Sequence, residues 1–481
     1  MRAKHMTKLA AGVALALSQL TLAGTEPYFT PLTGSAPVTL PNSAEEINEP
    51  WVVPAGITQW NLTSLNEVES QAQQSVVRVP GLGTGASMFD MIAFDDQGEF
   101  IFIPHETLVG AGVSRYDIAN DETTVIFNGD LGGLEGDWSN DWGAFDPSTW
   151  TPKGTLLLAE EWSGTGRVME VKKPLADPAK DIGLSELKHI PKVAHEGLRF
   201  SKDGKTLYFV DEWNSGSIYK AVFQNPNNYQ QTAQIFVLKV DAYAGEAADY
   251  YYEPGNAGQP RTGAATWVPM TNKGGHPLTS VDPFKPGPSN DPRTSDDPRG
   301  GRPAADELGA TPYGRPEDIE VGTLASGNEV LYFAATSEAA VYAVEELGNN
   351  KANVTLFAKE AVTPKNVGFP GTSGVMNSPD NLAQDADGNI YIIEDAPNGS
   401  STGGDVWFAR DVDNDGVAES LDHFLSIRVD GSEATGMIFN PANPDQFAIA
   451  VQHPDSTDLD QVPNGQGDAV WMFDISGADA P

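Results

Sequence analysis

The chain has 481 residues, 40% of them hydrophobic and 20% charged, which is enough apolar material for a large packed core and unlike the composition of a disordered protein. Lys plus Arg number 29 against 67 Asp plus Glu, and the formal net charge of −38 excludes a general affinity for nucleic acid or anionic lipid. Cysteine is absent, so disulfides, thiolate metal ligands and cysteine nucleophiles are excluded as well.

At the N-terminus, Arg2, Lys4 and Lys8 precede an apolar run over residues 9–17 and a small-residue end at Ala23-Gly24. This pattern predicts a secretory signal peptide over residues 1–23, and hence a periplasmic or secreted mature chain of residues 24–481. Ser18 and Gln19 break the run short of the ~20 apolar residues that a span needs, so no membrane span is expected in the mature chain.

Beyond this leader one pattern recurs six times. An aromatic residue with an Asp-Gly or Asn-Pro type of turn leads into a β-rich run, and a small residue opens a second short strand. Phe94-Asp95-Asp96-Gln97-Gly98 leads to Phe100-Ile101-Phe102-Ile103, and Phe145-Asp146-Pro147 to Leu156-Leu157-Leu158. Phe200-Ser201-Lys202-Asp203-Gly204 leads to Leu207-Tyr208-Phe209-Val210, and Gly327-Asn328-Glu329 to Val330-Leu331-Tyr332-Phe333. Asp385-Ala386-Asp387-Gly388 leads to Ile390-Tyr391-Ile392-Ile393, and Phe439-Asn440-Pro441 to Phe447-Ala448-Ile449. Such hairpins cannot bury both faces alone and must stack on one another. The expected fold is all-β, a six-bladed β-propeller forming one domain, with a β-sandwich as the competing arrangement. A Pro- and Gly-rich stretch at about 242–311 lacks hydrophobic periodicity and reads as an insertion between blades, either a lid or surface excursion or a plain disordered loop.

Acidic and polar residues stand where the apolar runs end, in His105-Glu106, Glu160-Glu161, Asp211-Glu212, Glu394-Asp395 and Gln452-His453. In a propeller these ends gather at one mouth of the channel, and convergent like charges are costly unless protonated or bridged by cations. Oxygen ligation suits calcium, magnesium or manganese, and ferric iron tolerates it. Four further segments sit at one place in their repeats: His195-Glu196-Gly197, Arg315-Pro316-Glu317-Asp318, Ser378-Pro379-Asp380-Asn381-Leu382 and Glu433-Ala434-Thr435-Gly436. Arg315 is either an anion contact or a structural partner of Glu317 or Asp318. Asp411, Asp413, Asp415 and Gly416, with Asp422 at the twelfth position, match a calcium-loop spacing without the helices that usually flank one. No P-loop, His-Glu-x-x-His or Gly-x-Ser-x-Gly segment is present.

The ordered series Pro104-His105-Glu106, Thr151-Pro152-Lys153-Gly154-Thr155 through Glu160-Glu161, His195-Glu196-Gly197, Arg315-Pro316-Glu317, Ser378-Pro379-Asp380-Asn381-Leu382, Glu433-Ala434-Thr435-Gly436 and Val451-Gln452-His453-Pro454 resembles the PhoX-type alkaline phosphatase family. The resemblance implies a six-bladed propeller and a periplasmic or secreted phosphomonoesterase with an iron and calcium cluster held mainly by carboxylates. Carried over by motif, Glu106, Glu196, Glu317, Asp380, Asn381 and Glu433 are expected metal ligands. Arg315 is the expected phosphate contact, and it and Glu317 are the expected catalytic pair.

The family's cysteine ligand has no counterpart in Trp138-Ser139-Asn140-Asp141-Trp142-Gly143, where Asp141 is the expected replacement. There is also no twin-arginine pair, and both departures weigh against iron. The expectation is a monomeric enzyme acting on a small phosphorylated substrate with calcium, and with iron if that pair of ions is kept. A non-catalytic calcium-binding propeller and a phytase- or lactonase-like hydrolase remain alternatives on the same scaffold.

Overall fold

The structure, a computed structural model, describes residues 27–41, 43–72, 89–243, 255–287, 300–395, 401–452 and 466–478. The expected signal peptide and His453 lie outside the described residues. The arrangement is all-β and propeller-like. Its unit is a four-stranded antiparallel meander, whose turns are built by the Asp residues of the repeat. In the first, the Asp95 carboxylate accepts the N–H groups of Glu99 and Phe100 while Gly98 takes a left-handed φ of 65°, which glycine adopts without strain.

Two sheets contain only such a meander. One runs Ala93–Phe94, Phe100–Pro104, Gly112–Asp117 and Glu122–Asn128, and the other Phe145–Trp150, Leu156–Glu160, Val168–Val171 and Leu184–Glu186. A third consists of Pro379–Gln384, Ile390–Glu394, Asp405–Arg410 and Ser420–Ile427, with Trp51–Val52 added at its edge. A fourth joins Glu433–Asn440, Asn443–Gln452 and Ala469–Asp474 to Thr58–Ser64, so a strand from near the N-terminus completes the last meander of the chain.

The remaining long strands differ from expectation. Leu198–Phe200, Thr206–Val210, Ile218–Phe223 and Ala233–Val240 form one meander, and Pro316–Thr323, Glu329–Ala335, Ala340–Gly348 and Lys351–Lys359 another. Strand Gly263–Pro269 pairs with the outer edges of both, giving one nine-stranded sheet in place of two separate blades. The 242–311 stretch is therefore more than a lid or loop. It supplies that bridging strand and the helix Gly301–Glu307, because Trp267 and Ala265 find a buried apolar slot between the two meanders.

Apolar side chains pack between successive meanders in six buried clusters, as stacked sheets with alternating faces require. Links between the first strands of successive meanders run around the centre. Ser148 Oγ donates to Met91 O at 2.6 Å, Thr149 Oγ1 to Leu198 O at 2.7 Å, and Arg199 Nε to Glu320 at 3.0 Å. Asp318 accepts from Leu382 N–H at 3.1 Å, Asn381 Oδ1 from Gly436 N–H at 2.6 Å, and Thr435 Oγ1 donates to Asp90 at 2.5 Å, which returns to the start. Two glycines of the motifs allow this close approach. A Cβ on Gly197 would lie 2.6 Å from Ile319 N, and one on Gly436 2.8 Å from Ile92 N.

Candidate metal and phosphate site

The first strands of four meanders begin with a bulge. Two residues oppose one between Phe145 and Ser148, Pro316 and Ile319, Pro379 and Leu382, and Thr435 and Ile438. An extra residue there bends the strand and re-aims side chains. Asp146, Glu317 and Asp380 lie within three of these bulges.

Opposite them, the acidic pairs at the ends of the neighbouring strands divide by the period of two. The first residue of each pair is held inside the sheets. His105 is within hydrogen-bond distance of Asn128 and Ser114, Glu160 accepts two bonds from the Arg167 guanidinium and one from its N–H, Asp211 accepts two from Arg302, and Glu394 accepts from Asn377 N–H, Asp405 N–H and Trp407 Nε1. The second residue, Glu106, Glu161, Glu212 or Asp395, meets the bulge carboxylates.

Three groups result, each with one carboxylate oxygen per residue lying within 4.8 Å of the others: Glu106, Asp146 and Glu161; Glu196, Glu212 and Glu317; Asp380, Asp395 and Glu433. Asp90 adjoins them, accepting from Gln452 Nε2 at 2.9 Å, and Gln452 also reaches Glu433 at 3.1 Å. The groups feel one another's charge. Desolvation, then Asp90 and Glu106, push Asp146 well above the carboxylate range, and desolvation with Glu317 and Asp380 does so for Glu196. Burial raises Asp90 to about 6 and, with Glu212, Glu317 to about 8. Glu106, Glu161, Asp380 and Glu433 are also raised well above the usual range, chiefly by burial.

Arg315 is the cation among these acids. Its backbone is left-handed at φ 58°, and its Nε lies 2.5 Å from Glu212 and 3.1 Å from Glu317, with Nη1 3.6 Å from Asp395. Burial lowers its proton affinity, but the Glu317 and Glu212 charges outweigh that and hold it protonated. Its side chain keeps 39% exposure and lines a cavity of about 330 Å³ with Glu161, Ser163, Glu212 and Trp213.

The donors fit hard cations. Asp146 Oδ1, Asp380 Oδ1 and Glu317 Oε2 are buried with no hydrogen-bond partner and Glu317 Oε1 meets Arg315, so one guanidinium leaves this charge largely uncompensated.

Of the predicted residues, Glu106, Glu196, Glu317, Asp380, Glu433 and Arg315 are brought together. Asn381 stands beside Asp380, but its amide oxygen is taken by Gly436 N–H. Asp141 does not join. Its carboxylate accepts the N–H groups of Gly110, Trp142 and Gly133 at 2.8, 2.9 and 2.8 Å, so it clasps its own loop and does not replace a thiolate. Sequence reasoning missed Asp90, and it took Asp146 for a turn residue. The available signal was an acid near the start of a repeat's first strand, the place that Glu317 and Asp380 occupy in theirs.

In the outlying loop, Asp411, Asp413, Asp415 and Glu419 converge. Asp422 does not, because the chain enters strand Ser420–Ile427 and turns Asp422 inward onto Arg410 at 3.0 Å. The ninth position therefore supplies the acid expected at the twelfth.

The all-β fold gathers three groups of acids around one guanidinium, and the comparisons with known proteins place the chain in a class. A family model for alkaline phosphatase PhoX matches residues 155–455, and the chain belongs to that family. Among solved structures, PhoX of Pseudomonas fluorescens in complex with vanadate, a transition state analogue, superposes with a TM-score of 0.61 at 16% identity over 95% of this chain and 99% of that one. A gluconolactonase of Xanthomonas campestris reaches 0.43 at 12% identity over 94% and 98%. A calcium-binding regucalcin of Agrobacterium tumefaciens reaches 0.40 at 11% over 82% and 92%. No curated protein sequence matches the chain significantly.

Proposed function

We propose that the mature chain, residues 24–481, is a secreted or periplasmic monomeric phosphomonoesterase whose carboxylate groups hold cations in the channel of one six-bladed domain. In this reading the nine-stranded sheet is two blades bridged by the insertion strand. The observation that carries the proposal is the convergence of nine buried or half-buried acids in three groups around Arg315, with oxygens of Asp146 and Asp380 that have no hydrogen-bond partner. Glu106, Asp146 and Glu161 would hold one cation, Glu196, Glu212 and Glu317 a second, and Asp380, Asp395 and Glu433 a third. Such cations supply charge neutralisation for phosphate oxygens and a more acidic water. An all-oxygen ligand set favours calcium over a softer ion, and iron is disfavoured with the thiolate gone and Asp141 engaged elsewhere.

The chain's own residues do the rest. Arg315, fixed by Glu212 and Glu317 and open to the cavity, steadies the charge that spreads over the transferring phosphoryl group. Raised carboxyls such as Glu317 are suited to hold a proton near neutral pH in the absence of cations. The Asp411 loop would hold a further calcium as a structural brace.

The test is hydrolysis of 4-nitrophenyl phosphate by the purified protein before chelation, after it, and after calcium is restored. Activity lost and then recovered is the expected result. Activity unchanged after metal removal is proven would overturn the reading, and so would no activity in any metal.

A further inference from the structure

Beside the phosphate-side cavity lies a second one of about 390 Å³, lined by Trp138, Glu160, Trp162, Thr165, Arg167 and Pro286. The two share a wall. Glu161 and Ser163 face the first, while Glu160, Trp162 and Thr165 face the second, so their linings come within one residue, or about 3.8 Å of chain, of each other. The second cavity is framed by two indole rings, Trp138 and Trp162, whose centroids are 6.2 Å apart in an edge-to-face arrangement. Trp138 is 37% exposed, a high fraction for a ring that belongs to no buried core cluster.

A partly buried ion pair builds this frame. Glu160 accepts from Arg167 Nε at 2.7 Å and Nη2 at 2.6 Å, and from Gly143 N–H at 3.1 Å. Arg167 Nη1 donates to Trp138 O at 3.0 Å, and Nη2 to Asp141 O at 2.7 Å. The Asp141 carboxylate meanwhile closes the same loop on Gly110 and Gly133. Two acids and an arginine thus hold the loop that packs Trp138 edge-on against Trp162 beside the phosphate-side cavity. The segment that sequence reasoning expected to deliver a metal ligand delivers an aromatic wall. Its one cation is already paired, so the cavity offers area and ring faces in place of charge.

We propose that this cavity receives the aromatic ring of the alcohol in a phosphomonoester, making aryl phosphates the favoured substrate class. The inference rests on the phosphatase reading above. With the phosphoryl group at Arg315, the ring of the leaving alcohol reaches past the shared wall into the second cavity and packs against the indole pair, where ring–ring contact and burial favour it over an aliphatic alcohol.

The experiment compares phenyl phosphate with glycerol 1-phosphate in the wild type, Trp138→Ala and Trp138→Phe, and adds calorimetric titration with phenylphosphonate and methylphosphonate. Trp138→Ala should lower kcat/KM for phenyl phosphate about tenfold, leave glycerol 1-phosphate within about twofold, and weaken phenylphosphonate alone; Trp138→Phe should retain most of the preference. Equal changes for both esters, or phenylphosphonate binding no tighter than methylphosphonate in the wild type, would overturn the proposal. If the wild type hydrolyses neither ester, the phosphatase reading fails. The cavity is then judged by the phosphonates alone, and tighter phenylphosphonate binding lost in Trp138→Ala would still support it.

Discussion

Two acidic regions of this molecule look alike in sequence and differ in physics. In the Asp411 loop the carboxylates are largely exposed and complete their own turn. Asp411 accepts from Asp415 and Gly416 N–H, Asp415 from Val417 N–H, and Glu419 from Val412 N–H. In the three groups around Arg315, Asp146, Glu317 and Asp380 are buried, and each has an oxygen with no hydrogen-bond partner. The loop meets part of its charge with its own backbone and stays largely exposed, so a calcium there would only brace a turn that already closes, whereas the channel acids require protons or cations. A spacing pattern alone therefore says little about metal, and what decides is whether the fold leaves the oxygens partnerless.

The largest effect should follow from Arg315→Ala, which removes the channel's cation from the phosphate cavity. Phosphatase kcat should fall about 10²- to 10³-fold with metal content retained, as measured by turnover beside elemental analysis. Equal metal loss would instead make Arg315 a mere partner of Glu212 and Glu317.

Next, Asp141→Ala should cost about 3 kcal/mol of stability, because three backbone N–H groups lose their acceptor, while metal per chain stays unchanged. Denaturant unfolding and metal analysis check it, and metal loss without destabilisation would return Asp141 to the ligand set.

A third outcome concerns pH. In chelated protein the channel acids bind protons more tightly than in the unfolded chain, whose carboxylates titrate near 4. The native state then holds more protons, so stability should fall as pH rises from about 4 through the folded values of about 6 for Asp90 and about 8 for Glu317. Cations should flatten this slope. Melting temperatures across that range, with and without chelator, read it, and a chelated protein that grows more stable with pH would refute the assignment.

The smallest effect belongs to the loop. Asp413→Asn, at an exposed position, should change stability by less than about 1 kcal/mol in chelator and leave turnover within about twofold.

Much of this site was legible because strand ends, turns and repeat spacing are local. The pairs His105-Glu106 through Glu394-Asp395 could be read off directly, but which member faces the channel depends on the pleat, and the sequence shows only that the two alternate. The three bulges that aim Asp146, Glu317 and Asp380 leave no mark beyond an acid near a Pro or Phe. The path of the loop carrying Asp141 is fixed by contacts with Gly110, Gly133 and Arg167, distant choices that no motif records. Asp422 was misplaced because calcium-loop spacing presumes a following helix, and a strand follows here. The bridging of two meanders by Gly263–Pro269 was hidden in a segment whose Pro and Gly content reads as coil.

The central claim, that the channel acids hold the cations on which turnover depends, is tested most directly by metal per chain and phosphomonoester turnover measured together in the wild type, Glu317→Gln and Asp413→Asn. The account predicts that Glu317→Gln loses bound metal and turnover in parallel, while Asp413→Asn loses at most the loop's cation and keeps its turnover. Full metal content and full turnover in Glu317→Gln would contradict it.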